Sequence, residues 1–144
     1  MNLLRKTPRT GLQSQQNLES TKMARILIVD DSPSQLMGMK RIVEKLGHEA
    51  LSAEDGAQGV EVAKANVPDL ILMDVVMPNL NGFQATRAIS KEATTSHIPI
   101  VLVTTKDQET DKVWGMRQGA KAYITKPFNE AELVAVINKL LVTG

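Results

Sequence analysis

Apolar runs only a few residues long alternate along this chain with stretches of helical spacing, and that alternation leaves few folds open. Ile26–Val29, Leu70–Met73 and Ile100–Val103 are continuous apolar runs, the pattern of strands buried on both faces of a parallel sheet. Weaker strand candidates lie at Glu49–Ala53 and Ala122–Thr125. Between them, Leu36, Met39, Ile42, Val43 and Leu46 share one face of a helix that opens at Ser32-Pro33 and stops at Gly47. Ser at the N-cap, Pro at the first helical position and Gly past the last turn each satisfy or release the orphaned backbone groups there. Val60–Ala65 predicts a second helix, Phe83–Ile89 a third and Thr110–Arg117 a fourth, while Leu133, Val136, Ile137 and Leu140 mark a fifth. Five strands alternating with five helices predict an α/β fold, a doubly wound five-stranded parallel sheet with right-handed crossovers.

The 144 residues suffice for one core and leave no room for a second. A formal net charge of +1 gives no bulk electrostatic footprint for nucleic acid. With no Cys, disulfides, thiol catalysis and thiolate metal sites are excluded. No apolar run approaches the roughly 18–20 residues of a membrane span. A cytoplasmic protein without membrane insertion is expected. Residues 1–22 are rich in Gln, Thr, Ser, Asn and Arg and show no sustained period. They are expected to be a disordered tail, or an extension from an upstream start codon preceding a start at Met23. The domain proper is then 23–144.

In doubly wound folds ligands bind beyond the carboxyl ends of the strands. Strand one runs into Asp30-Asp31, strand three into Asp74, strand four into Thr104-Thr105 and strand five into Lys126-Pro127. Each residue alone has an ordinary explanation: Asp-Asp caps a helix, Asp before a Met-Pro loop forms a turn, Lys before Pro is solvated. Together they bring three carboxylates, a hydroxyl and an ammonium to one sheet edge. Clustered carboxylates repel, and a hard, oxygen-preferring divalent ion such as Mg²⁺ relieves that repulsion while leaving room for a phosphate oxygen. Asp74, on the central strand, is best placed as a nucleophile, since carboxylates accept phosphoryl groups as aspartyl-phosphates. In-line positioning and neutralisation by Mg²⁺ and Lys126 then carry the transfer.

The strings Ile26-Leu27-Ile28-Val29-Asp30-Asp31, Leu72-Met73-Asp74-Val75-Val76-Met77-Pro78-Asn79-Leu80-Asn81-Gly82, Val103-Thr104-Thr105 and Lys126-Pro127-Phe128 resemble the CheY-like receivers of two-component systems. The resemblance spans about Ala24 to Leu141 and implies the flavodoxin/CheY-like (βα)5 architecture. It implies Asp74 as phosphoacceptor, and Asp31, Asp74 and the backbone carbonyl of Val76 as Mg²⁺ ligands, with Asp30 holding a metal-bound water. It also implies Thr104 and Tyr123 as a switch pair, Lys126 as the phosphoryl-binding ammonium and a cis peptide before Pro127. Val76 and Lys106 correspond to positions that tune the lifetime of the phosphoryl group. Within the family, 82–87 and 104–115 look most like PilH-type regulators of type IV pili and twitching motility, which implies a CheA-like histidine kinase as donor.

The same resemblance puts the output face on helix four, strand five and helix five, with Tyr123 and Trp114 as candidates. For Trp114, packing beside Val113 and Met116 is an equal alternative. No DNA-binding output domain is expected after Gly144 or before Met23, so output is expected through protein contact by a monomer. Alternatively, the domain drains phosphate from a shared kinase. A flavodoxin-like FMN module shares the topology, but Asp30-Asp31 would repel the flavin phosphate, and a single Trp and a single Tyr offer little stacking. A phosphatase of the haloacid-dehalogenase type would need a second acid two residues after its nucleophile on strand one, where Ser32 stands.

Overall fold

A computed structural model describes residues 23–143, so the expectations for residues 1–22 lie outside the described residues. Five strands, β1 Arg25–Val29, β2 Glu49–Ala53, β3 Leu70–Met73, β4 Ile100–Thr104 and β5 Ala122–Thr125, alternate with five helices. The helices are α1 Pro33–Lys45, α2 Gly56–Asn66, α3 Gly82–Lys91, α4 Glu109–Gln118 and α5 Glu130–Thr143. All strands are parallel, in the order β2-β1-β3-β4-β5. The chain therefore reverses its winding between β1 and β3, and the crevice at their carboxyl ends is the expected ligand position.

The continuous apolar runs are explained by a core on each side of the sheet. Successive side chains of a strand point to opposite faces. Leu27 and Val29 of β1, Ile71 and Met73 of β3, and Ile100 and Leu102 of β4 pack with Val60, Ala63, Ala85 and Ile89. Their neighbours Ile26, Ile28, Leu70, Leu72, Val101 and Val103 pack with Met39, Val43, Leu133 and Ile137 on the other side. A strand with both faces buried needs no polar residue until it leaves the sheet, which places the first polar residue of each run at its end: Asp30, Asp74 and Thr104.

The helices begin where side chains satisfy their free N–H groups. Ser32 caps α1, with Pro33 in the first turn, as the sequence predicts. Asn81 and Gln84 cap α3 reciprocally. α2 starts four residues before the Val60 expected from the apolar period, because Asp55 caps it through the Gln58 N–H and its first turn carries little apolar surface. α4 inverts the usual amphipathic arrangement. Its buried residues are Gly115 and Gln118, while Val113, Trp114 and Met116 are 45%, 50% and 46% exposed. Trp114 is therefore not a core residue, while half of it remains covered.

Gly82, at the start of α3, sits so close to the chain at Asp74 that a Cβ would overlap the Asp74 carbonyl. Its N–H donates to the Val75 carbonyl at 2.9 Å, which ties the start of α3 to the end of β3. Gly82→Ala is expected to cost roughly 2–3 kcal/mol, since backbone rather than a flexible side chain must give way. Urea unfolding followed by circular dichroism measures this.

Candidate functional site

Asp30, buried, and Asp31, exposed, follow β1, and Asp74, 7% exposed, follows β3. One carboxylate oxygen from each lies within 4.8 Å of those of the other two. These three acids, expected from the sequence to share one sheet edge, meet at the point where the winding reverses.

Each acid is held differently. Asp30 uses both oxygens: Oδ1 accepts the Ser32 N–H at 2.9 Å and Oδ2 accepts from the Lys126 ammonium at 2.8 Å. Lys126 follows β5, and its Nζ also stands 3.9 Å from Asp74 Oδ2. Its side chain is 9% exposed, so this is a largely desolvated cation bridging two acids. Asp74 Oδ1 accepts the N–H of Val75 at 2.7 Å and, more weakly, that of Val76 at 3.4 Å. The Lys126–Pro127 peptide is cis, as the family resemblance implied.

Burial pushes the Asp74 carboxyl above the usual carboxylate range, and repulsion from Asp30 adds to the rise. Lys126, the Val75 N–H and the Thr104 hydroxyl act in the opposite sense and do not cancel it. Three acids and one ammonium leave this edge short of positive charge. The donors are all carboxylate oxygens, which fits a hard divalent ion that prefers oxygen, and an added cation would relieve the repulsion that raises Asp74.

The remaining predicted residues surround this cluster. Thr104 ends β4, fully buried, and its Oγ1 accepts the Lys106 N–H at 3.4 Å. Tyr123, on β5, is half-buried, with its hydroxyl donating to the Lys106 carbonyl at 2.7 Å. Its ring lies against Gly115 of α4 and Leu102 of β4 is adjacent. Burial, and then the carboxylates of Asp111, Asp107 and Asp74, push the Tyr123 phenol up to about 12, which keeps it a donor throughout the physiological range. The Lys106 ammonium turns away to Asp111 at 3.6 Å, and the Val76 side chain is 56% exposed. Neither side chain is held in the acidic cluster.

The carboxyl end of β2 carries a contact that was not expected from the sequence. There Asp55 Oδ2 accepts the Asn79 side-chain amide at 3.2 Å, joining α2 to the loop that follows Asp74. The available signal was Asp55-Gly56 directly after a strand candidate, at the same edge as the other acids.

Residues 26–138 match the response regulator receiver domain, and the chain belongs to that family of two-component signalling domains. A receiver is not a conventional enzyme; its partners in phosphoryl transfer are histidine kinases. The chain is 59% identical over 119 residues to protein PilH of Pseudomonas aeruginosa, covering 83% of this chain and 98% of PilH. It is also 39% identical over 116 residues to the phosphate regulon regulator PhoB of that organism, covering 81% of this chain but 51% of PhoB. Against the response regulator PleD of Caulobacter vibrioides the identity is 36%, over 81% of this chain and 26% of PleD. The chain thus spans about half or less of those larger regulators.

Among solved structures, chemotaxis protein CheY4 of Vibrio cholerae has a TM-score of 0.78 at 30% identity, covering 83% of this chain and 99% of that one. A receiver domain of a Pseudomonas aeruginosa sensor histidine kinase, described with a magnesium ion coordinated in its active-site cleft, also has a TM-score of 0.78 at 30% identity. The coverage there is 84% of this chain and 99% of that one. The acidic triad here is of the type that binds Mg²⁺ in receivers. Among the described residues, no helix is long and apolar enough to cross a membrane.

The raised Asp74 titration has a measurable consequence. When a carboxyl titrates higher in the folded than in the unfolded protein, ionising it destabilises the fold. That cost is full above the folded value and absent below the ordinary 3.8. Asp74→Asn is therefore expected to raise the melting temperature in Mg²⁺-free buffer at pH 7, and the gain should vanish as the pH falls below about 4. Melting curves of both proteins across that range measure it.

Proposed function

We propose that Asp74 accepts a phosphoryl group from a CheA-like histidine kinase and that the domain signals the modification by protein contact. The observation that carries this reading is the Lys126 ammonium, 2.8 Å from Asp30 and 3.9 Å from Asp74, beside three clustered carboxylates. In the transfer, an Asp74 carboxylate oxygen attacks phosphorus and the phosphorus–nitrogen bond to the donor imidazole breaks. The imidazole nitrogen leaves with the electron pair and takes up a proton. Asp31, Asp74 and the Val76 backbone carbonyl would hold Mg²⁺, with Asp30 orienting a water of its shell. Bound there, the ion neutralises the carboxylates and the incoming phosphoryl oxygens. Lys126 adds a second positive charge on the same oxygens, and Thr104 donates its hydroxyl to one of them.

The readout follows from the bonds that Thr104 and Tyr123 make now. Lys106 links them, since its N–H bonds Thr104 and its carbonyl accepts from Tyr123. A phosphoryl group that draws the Thr104 hydroxyl away changes the first bond and so biases the second. The surface around Tyr123 and the exposed Trp114 is then the contact face. The 59% identity to PilH favours type IV pilus and twitching control, in the cytoplasm with the kinase. A second reading keeps the chemistry but makes the domain a phosphate sink for a shared kinase, and nothing in the geometry favours it.

Two measurements test this. Acetyl phosphate with Mg²⁺ is expected to add one phosphoryl group to the intact mass of the wild type and none to Asp74→Asn; modification of the mutant would move the acceptor. The aspartyl-phosphate lifetime should also respond to Val76, whose exposed methyls beside Asp74 cannot orient water, as a carboxamide can. Val76→Asn is expected to change the decay rate severalfold while Mg²⁺ affinity stays near wild type, because the metal would use only that residue's backbone. Identical decay of the two phosphoproteins would remove Val76 from this role.

A further inference from the structure

The loop from Val75 to Asn81 is fixed at both ends. At its start, the Val75 N–H bonds Asp74 Oδ1 and the Val75 carbonyl accepts from Gly82. Near its other end the chain meets the beginning of α2. The Gly56 N–H donates to the Leu80 carbonyl at 3.1 Å, and the two segments touch so closely that a Cβ on Gly56 would overlap that carbonyl. Asp55 completes the junction. Its Oδ1 caps α2 through the Gln58 N–H at 2.8 Å, and its Oδ2 takes the Asn79 amide at 3.2 Å. Asn79 adopts a left-handed backbone, φ 67°, a conformation that Asn and Asp tolerate better than other side chains. Between the two anchors lies the short stretch that contains the Val76 peptide.

We infer that Asp55 and Asn79 form a latch that positions the acceptor loop, fixing the Val76 backbone carbonyl where the divalent ion requires a ligand. The inference rests on the reading of Asp74, Asp31 and Val76 given above. Neither latch residue belongs to the acidic cluster, so both are positioning residues. The pairing is directional: a carboxylate on α2 accepts and an amide on the loop donates. Outer residues that orient metal ligands typically carry about ten- to a hundredfold of the affinity, and this latch, one step removed and solvent-exposed, belongs at the lower end.

Directionality supplies the test. Asn79→Asp sets two carboxylates against each other and leaves the left-handed backbone tolerated. Combining Asp55→Asn with Asn79→Asp exchanges donor and acceptor, keeps the net charge of the wild type and retains an oxygen to cap α2. Isothermal titration with Mg²⁺ is expected to show about tenfold weaker binding for Asn79→Asp and recovery in the exchanged pair. In metal-free protein, amide hydrogen exchange at Val76 and Met77 should speed up in the single variant and slow again in the pair. Wild-type Mg²⁺ affinity and exchange rates in Asn79→Asp would overturn the latch, and so would a defect that the exchanged pair fails to repair. A wild type that takes up no Mg²⁺ would instead overturn the acceptor reading, and with it the ligand assigned to the latch.

Discussion

The Lys126 ammonium between Asp30 and Asp74 is the interaction around which the rest is arranged. It is a largely buried cation shared by two buried acids, and removing the ammonium would leave both acids buried without a counter-charge. The three residues follow β5, β1 and β3; β1 and β3 are adjacent, but β4 lies between β3 and β5. The side chain therefore reaches across the carboxyl edge of the sheet, and β1, β3, β4 and β5 must hold their register for the contact to exist. The two apolar cores maintain that register. The site in turn charges the fold a cost, visible in Asp74, which ionises less readily than a solvated acid.

Much of this was legible in the sequence because each half of the fold obeys a period. Both weaker strand candidates, Glu49–Ala53 and Ala122–Thr125, coincide with β2 and β5, and the three apolar runs fall within β1, β3 and β4. Acids that interrupt an apolar run are conspicuous, so Asp30, Asp31 and Asp74 stood out without any coordinates. Helix starts were less visible. The first turn of α2 is Gly56, Ala57, Gln58 and Gly59, which offers no apolar side chain large enough to mark a face. The Asp55–Asn79 contact was hidden for another reason: it joins two polar residues 24 positions apart, and no periodicity links them. Similarly, the buried His48 accepts the Ala24 N–H through Nδ1 at 3.0 Å, a tertiary bond with no local signature.

The site and its surroundings differ in how tightly they are specified. Around Asp74, close backbone approaches at Gly56 and Gly82 leave the chain little freedom. Between Thr104 and Tyr123 the links are single hydrogen bonds to one residue, Lys106. A receiver needs both qualities, since transfer depends on fixed atoms whereas signalling depends on an element with two accessible arrangements.

In the readout proposed above, that second quality would reside in helix α4. A helix normally resists displacement because moving it strips apolar side chains from a core. α4 places a glycine and a glutamine inward, so sliding or tilting by a fraction of a turn withdraws no large, fully buried side chain of its own from the core. Its three large apolar residues already face outward, and a partner that covers them gains contact area with no prior exposure step. The helix is thus mechanically compliant toward the domain that carries it and adhesive toward whatever approaches. In that readout, a modest bias from one hydroxyl at the end of β4 would act on such an element, where it would be lost against a well-buried helix.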